Sequence, residues 1–340
     1  MTRDPAPKVV VMNDTSTRYH HGCARVMRLL VQGLESRGLT VTARSAARHE
    51  WAKDAAFIDA LGDADLVVIN GEGTLHHGKD AGRRLLDVAT HPARRGKLAL
   101  INALWQDNPS DWGALAAQFD LLSTRDQASA DELTKASGCA VRMVPDLSLS
   151  APVVAMGQAR SGIIVGDSVK FDVRRALAGA AKRLDATFVP TKTLASPIWE
   201  FAPAKWALFC AYNGQATLAP PAFAMAADEA QYLDWLSKAE GHLTGRFHAV
   251  CLSLLTGTPF VAVTSNARKI EALLADAGLT ADRIVPTSAV ADLTTDDITR
   301  AFTDGEKVRI DQFLSRAQSD AAKLFDDLAI LAHQNAGPVS

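Results

Sequence analysis

Short unbroken runs of apolar residues recur along the chain, separated by longer stretches in which apolar positions return every three or four residues. Val9–Met12, Leu66–Ile69 and Leu98–Ile101 are runs of the first kind. Such runs predict buried strands, whereas the wider spacing predicts amphipathic helices. Because the two patterns alternate, the sequence predicts an α/β fold with parallel sheets that are covered on both faces.

The alternation stops after Ser150 and starts again at Gly162, where the run GIIVGDS begins. A length of 340 residues suits two domains, and we expect them over residues 1–150 and 151–305. Residues 306–335 carry apolar side chains on one helical face and predict a long C-terminal helix that packs across both domains. Ligands of doubly wound sheets bind beyond the carboxyl ends of the strands, so we expect the domains to face a cleft.

Charge and composition exclude several classes of protein. The formal net charge of −2, without a basic tail, argues against a nucleic-acid-binding protein. No apolar run approaches the ~18 residues of a membrane span, and the start MTRDPAPK lacks the apolar core of a signal peptide. We therefore expect a cytoplasmic location.

Metal sites and disulfides are not predicted. His20 and His21 are adjacent, as are His76 and His77, so the two side chains of each pair point in different directions. The four cysteines are scattered and predict reduced thiols rather than disulfides or zinc ligands: Cys23, Cys139, Cys210 and Cys251.

The stretch Gly241–Leu274 contains the strongest candidate site. Its pattern predicts a short strand that ends in a turn at Gly245, followed by a helix that starts near Arg246 and His248. The first turn of a helix attracts anions, and an arginine binds a carboxylate or phosphate through two parallel hydrogen bonds. A histidine exchanges protons near neutral pH. The alternative interpretation is an ordinary helix cap with a surface charge.

A second candidate is the loop NGEGTLHHG (70–78), which directly follows the buried run LVVI (66–69). Gly71 and Gly73 would let a ligand approach the backbone closely. Glu72 is either a hydrogen-bond acceptor or base for a ligand hydroxyl, or a polar residue that caps the next helix. The glycines alone do not form a nucleotide-binding fingerprint.

A third candidate is Arg125, which follows a short strand at a predicted helix start. The position favours anion binding, but a plain salt bridge to Asp126 or Asp146 is the alternative. Asp146 ends the next strand and is as well suited to capping as to a functional role.

Taken together, these segments resemble the polysaccharide pyruvyl transferase family. The motifs lie in the order found in that family and span roughly residues 8–280: Gly71–Leu75 (GEGTL), Ser123–Ser129 (STRDQAS), Val144–Leu149 (VPDLSL), Gly245–Ala249 (GRFHA), Gly257–Val263 (GTPFVAV) and Lys269. The resemblance implies a GT-B-like fold of two Rossmann-like domains, with the acceptor on the N-terminal and the donor on the C-terminal side. It also implies a transferase of exopolysaccharide or capsule biosynthesis.

The resemblance further implies that phosphoenolpyruvate is the donor, as a co-substrate and without a cofactor, and that the product is a pyruvate ketal on a sugar or lipid-linked saccharide. Arg125 and Arg246 would hold the two anionic groups, His248 would act as the acid, and Lys269 would neutralise the departing phosphate unless it is a surface lysine. The remaining implied donor contacts are Gly71, Gly73, Thr74, Asp146 and Asn266. Peripheral membrane association and the oligomeric state stay open.

Two departures from the family pattern keep other functions open. Glu72 replaces a glycine, and a carboxylate there would repel an anionic donor. Either Glu72 faces the acceptor, as a base for its hydroxyl, or the donor differs. The loop NDTSTRYHHG also replaces the usual glycine–aspartate entry, which leaves the acceptor side undecided.

The first alternative is a metal-independent glycosyltransferase that uses a nucleotide sugar, with Arg246 and Lys269 on the phosphates and Glu72 or His248 as base. The second alternative is a sugar-binding protein without catalytic activity. The joint presence of Arg125, Arg246, His248 and Lys269 argues against that second alternative.

Overall fold

The computed structural model describes residues 6–153, 159–195, 202–264 and 267–335. The chain forms two compact units, each described here by itself. The first unit consists of Met1–Thr17, Val26–Ser150 and Ser315–Ser340, and the second of Arg18–Arg25 and Ala151–Leu314.

The first unit contains a parallel six-stranded sheet in the order β2–β1–β3–β4–β5–β6. Its strands are β1 (Lys8–Asp14), β2 (Thr40–Ala46), β3 (Leu66–Glu72), β4 (Lys97–Ala103), β5 (Leu121–Thr124) and β6 (Arg142–Met143). The helices that begin between Asp14 and Arg142 are α1 (His21–Glu35), α2 (Ala55–Asp63), α3 (Asp80–Leu86), α4 (Asp111–Ala116) and α5 (Gln127–Ser137).

Both faces of this sheet are buried, which explains why its strands read as continuous apolar runs. One face carries alternate residues such as Val10, Val67 and Leu98 in one hydrophobic core. The residues next to them in the chain point into a second core, which also receives apolar side chains of α1 and of the C-terminal helix α12 (Asp304–Asn335). Gly33 of α1 lies against the ring of Phe325 of α12.

The second unit contains a parallel five-stranded sheet in the order β11–β10–β9–β7–β8. Its strands are β7 (Ile163–Ser168), β8 (Thr187–Phe188), β9 (Gly241–Gly245), β10 (Phe260–Val263) and β11 (Ile284–Val285). The helices between Ser168 and Arg300 are α6 (Phe171–Arg183), α7 (Ala202–Asn213), α8 (Glu229–Lys238), α9 (Phe247–Thr256), α10 (Lys269–Asp276) and α11 (Thr295–Thr299).

The predicted fold class is confirmed: the chain has two parallel α/β units and a long C-terminal helix. Helix α2 follows a separate 3-10 turn at Trp51–Lys53, and Asp54 lies between the two. The break occurs because the side chain of Asp54 accepts a hydrogen bond from the amide of Phe57 (3.2 Å) and caps α2 from its N-terminus. No helix within the described ranges is both long and apolar enough to cross a membrane.

Candidate active site

The candidate site of the second unit begins where β9 passes into α9. The strand ends at Gly245, Arg246 occupies the N-cap position with extended backbone angles, and α9 starts at Phe247. The helix ends at Gly257, which has the left-handed conformation (φ 62°) expected of a glycine after a helix. The predicted strand, turn and helix are therefore confirmed, and His248 lies in the first helical turn.

The guanidinium of Arg246 is held by Asp167, which lies near the end of the neighbouring strand β7. Nε of Arg246 donates to Oδ2 of Asp167 at 2.9 Å, and Nη2 donates to the same oxygen. The hydroxyl of Tyr212 also donates to Oδ2 (2.5 Å), and the amide of Thr191 donates to Oδ1 (3.0 Å). Asp167 is fully buried, so these donors replace the water that its charge would otherwise require.

The electrostatics of this pair fix both charges. Burial alone would raise the pKa of Asp167, but the charge of Arg246 and the hydrogen bonds from Arg246, Tyr212 and Thr191 lower it overall. Burial alone would lower the pKa of Arg246, but Asp167 raises it overall. Arg246 is therefore a positioned cation, and the interpretation as an ordinary exposed surface charge does not describe it.

His248 is enclosed by the segment that precedes and begins α1. Its ring lies 5.3 Å from that of His20, centroid to centroid, in an edge-to-face arrangement. Gly22 lies so close that a β-carbon added there would be 2.2 Å from Cβ of His248. Ligand atoms of His20, Cys23 and His248 all lie within 4.8 Å of one another, and all three residues are buried. This grouping was not predicted, because His20 and Cys23 are far from His248 along the chain.

His20 and His21 point to different groups, as their adjacency predicted. His21 stacks on Tyr232, with ring centroids 5.0 Å apart. Burial lowers the pKa of His21 to about 4. Burial, and then the charges of His248 and Arg246, hold the pKa of His20 well below 6.5, so the His20 imidazole is neutral at neutral pH.

Lys192 is a second cation near Arg246 that the sequence did not reveal. Its backbone pairs with the segment before α1, since the amide of His21 donates to Thr191 (3.0 Å) and the amide of Thr193 donates to Tyr19 (2.8 Å). The side chain is half-buried, and burial followed by the charge of Arg246 lowers its pKa. Lys192 therefore places a second amino group, with rotatable hydrogen-bond donors, near Arg246.

In the first unit, Glu72 ends β3 and is buried (3% exposed). Its backbone lies in the left-handed region (φ 37°), which is uncommon for a residue with a long side chain. The carboxylate accepts hydrogen bonds from the hydroxyl of Thr15 and from Nδ2 of Asn70 (3.1 Å). Glu72 does not cap the next helix, since α3 begins only at Asp80.

Three asparagines connect the carboxyl ends of β1, β3 and β4. Nδ2 of Asn13 donates to the carbonyl of Asn70 (2.6 Å), and Nδ2 of Asn102 donates to Oδ1 of Asn70 (3.1 Å). Asn13 and Asn102 have positive φ angles of 66° and 54°, a conformation that asparagine tolerates well. These residues were missed, although each follows an apolar run directly in the sequence (VVVMN, LVVIN and LALIN).

The other predicted residues of this loop have different surroundings. A β-carbon on Gly71 would lie 2.6 Å from Cβ of Ala103, so this glycine allows the close approach of β3 and β4. A β-carbon on Gly73 would meet no atom within 4 Å. Thr74 is buried and accepts a hydrogen bond from Nδ2 of Asn13 (3.1 Å).

Arg125 forms a buried ion pair with Asp146, as one of the two predicted alternatives stated. Nη1 of Arg125 lies 3.3 Å from Oδ2 of Asp146, and the side chains are 2% and 0% exposed. Asp146 also accepts from the amide of Ser148 (2.9 Å), whereas Asp126 caps α5 through the amide of Ser129 (2.8 Å).

The two remaining predicted donor contacts are Lys269 and Asn266. Lys269 is half-buried at the start of α10. Asn266 lies outside the described residues.

Comparison with known proteins now identifies the family of this chain. The family profile of polysaccharide pyruvyl transferases matches residues 12–266, about three quarters of the chain. The chain belongs to the polysaccharide pyruvyl transferase family. It is accordingly a transferase, and the predicted family is confirmed. Among curated proteins, no sequence matches this one.

Solved structures show the same fold as this pyruvyl transferase family member. A protein from Listeria monocytogenes assigned as a UDP-N-acetylglucosamine 2-epimerase aligns with a TM-score of 0.58 and 11% identity, covering 97% of each chain. UDP-GlcNAc 2-epimerase from Neisseria meningitidis bound to UDP-GlcNAc aligns with a TM-score of 0.57 and 11% identity, covering 95% of this chain and 99% of that one. The likeness is to the GT-B-type fold.

The structure thus places the predicted residues of the pyruvyl transferase family member in two groups. Arg246 and His248 lie together in the second unit, where Asp167, Lys192, His20 and Cys23 join them. Gly71, Glu72 and Thr74 lie together in the first unit. Arg125 and Asp146 form a separate pair in the same unit.

Proposed function

We propose that this transferase moves the pyruvyl group of phosphoenolpyruvate onto two hydroxyls of a sugar and forms a cyclic pyruvate ketal. Family membership supplies the reaction class. The observation that carries the proposal is the start of α9, where a positioned guanidinium and an imidazole lie within one helical turn.

Phosphoenolpyruvate bears a carboxylate and a phosphate, so its site needs more than one cationic or amide donor. Arg246 and the first-turn amides of α9 supply one such group. We assign the second to Lys192, because Arg125 is buried in its pair with Asp146. Asp167 holds Arg246 in place, and the nearby cation Lys192 favours an anion at this position.

His248 acts as the acid in this proposal. Its imidazolium gives a proton to the methylene carbon of phosphoenolpyruvate, which leaves the neighbouring carbon electrophilic. One sugar hydroxyl attacks that carbon and loses its proton, the C–O bond to phosphate breaks, and a second hydroxyl closes the ring with loss of its own proton. One hydroxyl proton restores His248 and the other leaves with inorganic phosphate. Holding donor and acceptor together contributes ~7–11 kcal/mol to lowering the barrier.

Glu72 is assigned to the acceptor side as a hydrogen-bond acceptor for a sugar hydroxyl. Thr15 and Asn70 hold its carboxylate, and the open space beside Gly73 gives a ligand access to this loop. Lys269 is assigned to the departing phosphate.

Exchange of His248 tests the proposal, with the exposed His333 as a matched control. His248→Asn should lower the rate of phosphate release from phosphoenolpyruvate in the presence of acceptor by about 100-fold or more, the scale of a lost general acid. His333→Asn should leave the rate unchanged. In both variants phosphoenolpyruvate should still raise the melting temperature by binding the folded state. Equal rates in the two variants would remove the acid role of His248.

A nucleotide-sugar glycosyltransferase is the second candidate, and the buried carboxylate of Glu72 favours it, because such a base suits the activation of an acceptor hydroxyl. A panel of ligands separates the two functions. Stabilisation by UDP-GlcNAc or another nucleotide sugar, without stabilisation by phosphoenolpyruvate, would replace pyruvyl transfer with glycosyl transfer.

A further inference from the structure

His20, Cys23 and His248 form a compact cluster that the proposed reaction does not use as a whole. Their side-chain nitrogen and sulfur atoms lie within 4.8 Å of one another, and the three residues are only 8%, 5% and 6% exposed. All three belong to the second unit. Two imidazoles and a thiol whose donor atoms lie this close together are a ligand set of the kind that holds zinc-type ions.

The local structure explains how the cluster forms. His20 immediately precedes α1 and Cys23 lies in its first turn, so a spacing of three residues places both on one side of the helix start. His248 arrives from the first turn of α9. Gly22 allows the two helix starts to meet, because any side chain there would overlap Cβ and Cγ of His248.

The distances fit a tetrahedral ion after small side-chain rotations. Zinc bonds of about 2.0–2.1 Å to nitrogen and about 2.3 Å to sulfur place neighbouring ligand atoms about 3.5 Å apart. The ligand atoms of the cluster would each move by about an ångström or less to reach that spacing from 4.8 Å. Three protein ligands would leave a fourth position for water or a substrate oxygen.

The surrounding charges select the kind of ion. The backbone of Lys192 pairs with that of His20, and Arg246 lies two residues before His248, so both positive charges oppose any cation held by charge alone. Hard ions such as Mg²⁺ or Ca²⁺ also need oxygen ligands. A thiolate and two imidazoles instead form strongly covalent bonds to borderline or soft ions, and the thiolate offsets one positive charge.

We propose that His20, Cys23 and His248 form a binding site for a thiophilic transition-metal ion of the zinc type. The site does not depend on the identity of the donor. A metal bound through His248 withdraws that imidazole from proton transfer, so such an ion inhibits the reaction proposed above; this consequence alone rests on the proposed function.

Cobalt titration of the untagged, full-length protein tests the site without any substrate. The native chain should bind one equivalent of Co²⁺ and develop the near-ultraviolet band of a thiolate–cobalt bond together with the visible bands of tetrahedral cobalt. Zn²⁺ should displace the cobalt. Cys23→Ser should abolish the thiolate band, whereas Cys210→Ser, which removes a half-buried cysteine of the same unit, should keep it.

His20→Asn provides a second, independent variant if removal of the thiol impairs folding, which circular dichroism would show. It should weaken Zn²⁺ affinity at least about tenfold, since even the partners of metal ligands contribute that much. The proposal is overturned if the native protein shows no thiolate band, if Cys23→Ser retains it, or if folded His20→Asn binds Zn²⁺ as tightly as the native chain. Failure of phosphoenolpyruvate to bind would leave these results unchanged.

Discussion

Replacement of Gly22 by alanine tests the packing that positions His248. The added β-carbon would lie 2.2 Å from Cβ and 2.4 Å from Cγ of His248. Ordinary van der Waals contact begins near 3.4 Å. The start of α1 and the start of α9 must therefore move apart by about 1 Å, or the imidazole of His248 must change its position.

The expected cost follows from overpacking of this kind, which typically destabilises by about 1–3 kcal/mol. The better helix propensity of alanine offsets at most about 1 kcal/mol, and less in a first turn. We therefore expect Gly22→Ala to lower the free energy of unfolding of the second unit by about 1–2 kcal/mol. At the size of this unit, that corresponds to a melting temperature lower by about 2–8 °C.

Gly179→Ala is the matched control, because Gly179 lies within α6 of the same unit and a β-carbon there meets no atom within 4 Å. This exchange should be neutral or stabilise by up to about 1 kcal/mol. Urea unfolding followed by circular dichroism gives both free energies, and the imidazole NMR signal of His248, assigned from its loss in His248→Asn, reports the displacement. A Gly22→Ala protein as stable as Gly179→Ala, with an unshifted His248 signal, would refute the packing argument.

Three further predictions concern buried charge, pH and the loop after β3. Arg125→Ala should lower the free energy of unfolding in urea by about 3–5 kcal/mol, because it leaves Asp146 buried without its ion-pair partner. Arg300→Ala, which breaks an exposed ion pair, should lower it by at most about 1 kcal/mol. Equal losses in the two variants would contradict this account. Burial lowers the pKa of His242 to about 3, so the unfolded chain takes up the proton first as the pH falls below about 6.5. The stability that comes from its neutral ring is therefore complete above that pH and is lost progressively below it. The native chain should lose unfolding free energy between about pH 7.5 and pH 5, and His242→Asn should reduce that loss by about 2 kcal/mol. A His242→Asn protein with the same pH profile as the native chain would contradict this account. Gly71→Ala should lower the free energy of unfolding by about 1–3 kcal/mol, because the added β-carbon overlaps with Ala103 of β4. Gly73→Ala should change it by less than about 0.5 kcal/mol and should weaken the binding of phosphoenolpyruvate or acceptor. The reverse order of stabilities would show that the loop is packed differently.

The sequence by itself determined the class of fold and the local structure around the candidate site at Arg246. Apolar runs such as Val9–Met12 are buried on both faces of a parallel sheet, and their continuous pattern is a local property of the chain. The strand, turn and helix around Arg246 were predictable for the same reason, since glycine positions and helical periodicity are read within a few residues. The asparagines at the strand ends carried a comparable local signal.

Only the tertiary structure decided the partners of the charged and reactive side chains. The ion pair of Arg246 with Asp167 joins the residue after β9 to the neighbouring strand β7. These two residues are 79 positions apart in the sequence, and only the pairing of the strands brings them together. The cluster of His20, Cys23 and His248 likewise requires two helix starts to meet across Gly22. Secondary structure follows from nearest neighbours along the chain, whereas ion pairs and ligand sets follow from burial and from contact between segments that are distant in the sequence.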